Sequence, residues 1–155
     1  MQRIRYEWNQ IWRILQPHFS AAACHQELHK ATFAIDSLTQ LSMTFLEREE
    51  LGHYAAQSEF LRSFEWIINH NSNARIREHI LGSMSPMITA RAKSTRSGWK
   101  SIFVVLATGA HRDSEGRLAK QAFSIVHLVF RDYFDVVTNA GSLSTLYIVS
   151  PSLPC

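Results

Sequence analysis

The side chains of this chain that could do chemistry gather in three places. Cys24, His25 and His29 come first. Histidines four positions apart share one face of a helix, and a thiolate beside them could add a soft ligand to a zinc site. A closed site needs a fourth ligand, and no spacing marks one. The residues therefore read as a helix start with exposed imidazoles and a small thiol, and no metal is assigned.

Glu47, Glu49 and Glu50 surround Arg48 at the end of a helical pattern. Paired acids can divide acid and base roles, but charges on a solvated helix end are far commoner. Arg91, Lys93, Arg96 and Lys100 form the densest basic cluster, with Trp99 inside it. Cations near a helix C-terminus complement its dipole. The same four residues are the candidate partner-binding site, fit for an acidic protein surface or phosphate.

Other chemistry lacks its organising motif. No Gly-x-Ser-x-Gly elbow or Cys–His signature orders the eight histidines. Gly82-Ser83-Met84 sits inside a helical pattern. Neither G-x-G-x-x-G nor G-x-x-x-x-G-K-[ST] occurs among the six glycines, so no nucleotide cofactor is expected. An enzyme is the weakest reading.

The elements that must position these residues follow from hydrophobic periodicity. Ile4, Trp8, Ile11, Trp12 and Leu15 recur at steps of three and four, and Pro17 is expected to end that helix or start its exit. A second helix over about 27–47 carries Ala31, Ala34, Ile35, Leu38, Leu41, Phe45 and Leu46, wide enough for two neighbours. A third covers about 58–68 with Phe60, Leu61, Phe64, Ile67 and Ile68. Asn73 reads as the N-cap of a fourth helix, which carries Ile76, Ile80, Met84, Met87 and Ile88 and should kink at Pro86. Ser97-Gly98 precedes a fifth with Trp99, Ile102, Phe103 and Leu106, where Trp99 is expected in the core. Leu118, Ala122, Ile125, Val126 and Val129 mark a sixth.

The fold class is accordingly all-α. Phe60 and Trp99 open similar stripes 39 positions apart, near the ~40–47-residue period of HEAT and armadillo units. About three antiparallel helix pairs in an α-solenoid are expected over residues 1–138, with an irregular tail over 139–155. Such an array exposes apolar surface at its ends unless capped.

With 155 residues the chain suits one domain, and 46% hydrophobic with 19% charged residues argues against global disorder. Two cysteines exclude a disulfide-dense scaffold and favour a reducing compartment. No apolar run approaches the ~20 residues a membrane span needs. The net charge of +3 is too small to establish nucleic-acid binding, which is kept only as a rival reading.

Several blocks resemble a known family. They are Ile4-Arg5 with Trp8 and Ile11-Trp12, Phe33-Ala34-Ile35-Asp36-Ser37-Leu38, Gln40-Leu41-Ser42-Met43, Phe45-Leu46-Glu47-Arg48-Glu49-Glu50-Leu51, Phe60-Leu61-Arg62, Phe64-Glu65, Ile76-Arg77-Glu78, Ser97-Gly98-Trp99-Lys100-Ser101-Ile102-Phe103 and Ala122-Phe123. In this order the chain is similar to the first homology-downstream domain of the large brefeldin-A-inhibited Arf guanine-nucleotide exchange factors. The resemblance covers roughly residues 2–137. Ser63 stands where the family usually has proline, and Pro86 where its helix usually lacks one.

The resemblance implies a regulatory, protein-binding segment of an exchange factor acting in vesicle traffic, peripheral at Golgi and trans-Golgi membranes from the cytoplasmic side. Its implied partners are an Arf-type small GTPase and the exchange module of the parent protein, with an anionic membrane surface as a further candidate. Exchange catalysis itself is not implied, because the module's glycine-preceded glutamate is missing from this chain. The rival reading is a scaffold that links neighbouring domains and holds no ligand.

Overall fold

A computed structural model describes residues 2–48, 51 and 56–141. It contains α1 (Gln2–Ala23), α2 (Leu28–Glu47), α3 (Ala56–His70), α4 (Ala74–Arg91), α5 (Gly98–His111), α6 (Arg117–Asp132) and the short α7 (Phe134–Asn139). No strand occurs among the described residues. The architecture is all-α, as the periodicity predicts. Of the tail expected over 139–155, Asn139 closes α7 and residues 142–155 lie outside the described residues, as do Glu49 and Glu50.

One expectation fails at Pro17, which does not end α1. The helix runs on to Ala23. Proline in a helix interior costs about 3 kcal/mol because it removes the donor that would bond the carbonyl four residues back. Burial on both sides offsets that cost: Trp12 is 8% exposed before it and Ala23 is 1% exposed beyond it. A core stripe that continues past the proline therefore overrides the local stop signal. Pro86 likewise sits inside α4, where Met87 and Ile88 are buried immediately after it. The seventh helix, α7, also adds to the six expected; its six residues are too few to show a period.

Alternate helices lie against one another. α1, α3 and α5 form one row, and α2, α4 and α6 form a second, with α1 also packed on α2 and α5 on α6. Side-chain hydrogen bonds between neighbours in these rows and their turns join residues from 35 to 48 positions apart. That range brackets the 39-residue spacing of Phe60 and Trp99 seen in the sequence.

Aromatic rings fill the space between the first three helices. Trp12 of α1 stacks on Phe60 of α3 with centroids 3.9 Å apart, and Phe45 of α2 stacks on the same ring at 4.4 Å. Trp8 meets Phe45 edge-on at 5.5 Å. The edge-on Trp8–Phe45 contact is an arrangement that aromatic quadrupoles favour. At the opposite end of the chain, Asp113 accepts from the Ala119 and Glu115 amides ahead of α6. Slight desolvation raises its pKa, but these amides, with those of Leu118 and Gly116, outweigh it and hold the carboxyl below the usual carboxylate range.

Candidate partner-binding site

The four predicted cations sit where α4 ends, the chain turns, and α5 begins. Local signals explain the turn. The Thr95 amide and hydroxyl both bond the Arg91 carbonyl, which closes the end of α4. Gly98 then lets α5 start close to α3, since a Cβ there would stand 3.0 Å from Leu61 Cδ1.

The loop is fixed by a residue that the sequence did not single out. Gln57 of α3 is fully buried. Its Oε1 accepts from the Arg96 amide at 2.7 Å and the Gly98 amide at 3.3 Å, while its Nε2 donates to the Ser94 carbonyl at 3.0 Å. Beside it the Ser101 hydroxyl donates to the Ser58 carbonyl at 3.0 Å. One glutamine thus satisfies three backbone groups of the loop, which would otherwise be left partly buried without partners.

On this base the cations divide. Lys93, Arg96 and Lys100 are exposed. Arg91 turns back to α2, donating from Nε to the Met43 carbonyl at 3.0 Å and from its guanidinium to Glu47 at 3.0 Å. It joins two helices, leaving three side chains of the cluster outward. Trp99, as expected, is in the core and fully buried. Glu47 is a partner of Arg91, which gives it a structural role.

The Cys24, His25 and His29 group is held by its own turn. His25 Nδ1 accepts from the Glu27 amide at 3.0 Å, and His29 Nε2 lies 3.6 Å from the Glu27 carboxylate. Burial pushes the Cys24 thiol up, partly countered by a hydrogen bond to Asn71, so the thiolate needed for a metal ligand is disfavoured. No cluster of three or more His, Cys, Asp or Glu able to hold a metal occurs among the described residues.

A second polar junction links α2 to α4. His79 Nε2 lies 2.6 Å from Asp36 Oδ1. These residues are 43 positions apart, and nothing in either helical stripe connects them.

The profile of the Mon2/Sec7/BIG1-like HDS family, a Sec7-like group, matches residues 44–128, more than half of the chain. The chain belongs to this family. The HDS match runs from the end of α2 into α6 and includes Gln57 and all four cations. Among relatives of this HDS segment, brefeldin A-inhibited guanine nucleotide-exchange protein 3 of Arabidopsis thaliana is 41% identical over 138 residues, covering 89% of this chain. Protein 1 of the same name from that plant is 43% identical over 138 residues, and its human namesake 40% over 138. The chain spans only 7–8% of the length of these relatives. No described helix is long and apolar enough to cross a membrane.

Proposed function

We propose that this HDS segment is a regulatory and protein-interaction part of a large Arf guanine-nucleotide exchange factor acting in Golgi vesicle traffic, with no exchange catalysis of its own. Its rows of helices form a HEAT- or armadillo-like array. Lys93, Arg96 and Lys100 on the α4–α5 loop contact an Arf-type GTPase, and Arg91 holds the ledge from behind.

The observation that carries this reading is the loop itself. Three exposed cations project from a backbone pinned by the fully buried Gln57. A pre-ordered loop loses little conformational freedom on binding, so its charges act at low entropic cost. Regulation then requires that the partner bind one state of the exchange factor better than another.

The test is retention of GTP-loaded and GDP-loaded Arf by the chain. Binding to the GTP form is expected, falling at least tenfold in the Lys93→Glu, Arg96→Glu, Lys100→Glu triple variant and weakening with salt. Equal retention by the triple variant removes the loop as the contact. Nucleotide release stimulated by the chain alone removes the non-catalytic part of the reading.

The scaffold reading has its own support in the outer helices. Ile4, Ile11 and Ile14 of α1 are 49–67% exposed, and Phe123 and Phe130 of α6 are 46–53% exposed. Apolar faces at both ends of an array suit continuation by neighbouring helices. Retention of neither Arf form would favour it.

A further inference from the structure

A helix with neighbours on one side needs one apolar stripe, and α6 carries two. Leu118, Ala122, Ile125, Val126 and Val129 are buried against the rest of the molecule. Phe123 and Phe130, seven positions apart, share a different face, because that spacing is close to two helical turns. Phe134 at the start of α7 prolongs the same line, its ring stacked on Phe130 with centroids 5.7 Å apart. The three rings are 53%, 46% and 43% exposed. A contiguous row of half-exposed aromatic rings is a surface suited to contact.

The polar groups beside this row favour an uncharged occupant. Next to Phe130, Arg131 donates from two guanidinium nitrogens to the two oxygens of Asp132, each at 2.7 Å. The two charges satisfy each other and leave little for an ionic partner to read at that end of the face.

The chain supplies an uncharged segment at this place. α7 closes at Asn139, and Gly141 follows with a φ of 71° and its amide on the Thr138 carbonyl at 3.0 Å. A left-handed glycine just past a helix end stops the helix and turns the chain. Residues 142–155 start from that turn and contain no Asp, Glu, Lys or Arg, although 19% of the whole chain is charged. Their apolar residues come early, at Leu143 and in the unbroken run Leu146-Tyr147-Ile148-Val149. Such a run gains by burial and brings no charge that burial would penalise.

Reach is sufficient. Phe130 lies no more than about 17 Å of helix back from Gly141, at about 1.5 Å per residue. Residues 142–149 extend to about 26 Å, at about 3.3 Å each.

We propose that the segment 142–155 of this chain turns back over the face formed by Phe123, Phe130 and Phe134, lays Leu146-Tyr147-Ile148-Val149 against the rings, and so caps the α6 end of the array. The cap occludes the face that a neighbouring helix or a second copy would otherwise use, and it leaves α1 as the open end. It is independent of the α4–α5 loop and confines the scaffold reading to the α1 side.

The test replaces Phe130 with the photoreactive p-benzoylphenylalanine in the full chain, irradiates a dilute solution and maps the cross-links by mass spectrometry. The expected product is a cross-link within one molecule to residues 142–155. The same probe in place of Ile14, exposed on α1, should not reach that segment. A Leu146→Asp, Ile148→Asp double variant sets charges in the apolar contact and should lower the Phe130 cross-link yield roughly tenfold. Capture of a second copy in place of the segment, no cross-link to 142–155, an equal yield from the Ile14 position, or an undiminished yield in the double variant overturns the proposal.

Discussion

The α3–α5 and α2–α4 contacts both join helices that alternate along the chain, yet they are built from opposite materials. Between α3 and α5 the polar groups are sealed in: Gln57 and Ser101 are fully buried beside Trp99. Between α2 and α4 the Asp36–His79 pair sits at the surface, its side chains 61% and 36% exposed over an open groove, and the bond from Arg91 to the Met43 carbonyl is only part-buried. Buried hydrogen bonds resist loss because breaking one strands a desolvated partner. Exposed pairs contribute little, since water and salt compete for both members. The first contact is thus tied by sealed hydrogen bonds, and the second by exposed pairs that add little to stability.

This difference is broken most severely at Trp99. Trp99→Ala removes a fully buried side chain, and urea unfolding is expected to show a loss of roughly 3–5 kcal/mol. Gln57→Ala comes next. It leaves the Arg96 and Gly98 amides and the Ser94 carbonyl without their side-chain partner, for a loss of roughly 2–3 kcal/mol, with faster hydrogen exchange at those amides.

On the other side, Arg91→Ala cuts the bonds to Met43 and Glu47 and should cost about 1 kcal/mol in the same unfolding measurement. His79→Ala should cost less still, below about 1 kcal/mol, because the pair it removes is exposed. A His79→Ala loss as large as that of Gln57→Ala would erase the contrast. The smallest effect has the other sign. Ser63 is fully buried in α3 and its hydroxyl has no partner among the described residues, so Ser63→Ala should stabilise by about 0.5–1 kcal/mol.

The long helices were legible because their apolar residues repeat at three and four positions, a signal that depends only on which face is buried. Asn73 as an N-cap was legible too, and its side chain accepts from the Arg75 amide at 3.0 Å. Pro17 misled because its stop signal is local, whereas the stripe through Ala23 that overrides it is tertiary. Gln57 was not legible. A glutamine at a helix start resembles a solvated residue, and its three partners lie 37 to 41 positions away. The basic cluster was visible as a cluster, but composition could not show that Arg91 turns inward while its three companions stay out.

The longest of the side-chain bridges described spans 48 positions, and none ties the first helix to the last. Order in such a row is passed only from each member to its near neighbours. The two rows should therefore fray from their outer helices inward, with amides of α1, α6 and α7 exchanging before those of α3 and α5 as denaturant is added. A tether on either flank would slow that unzipping without touching the middle.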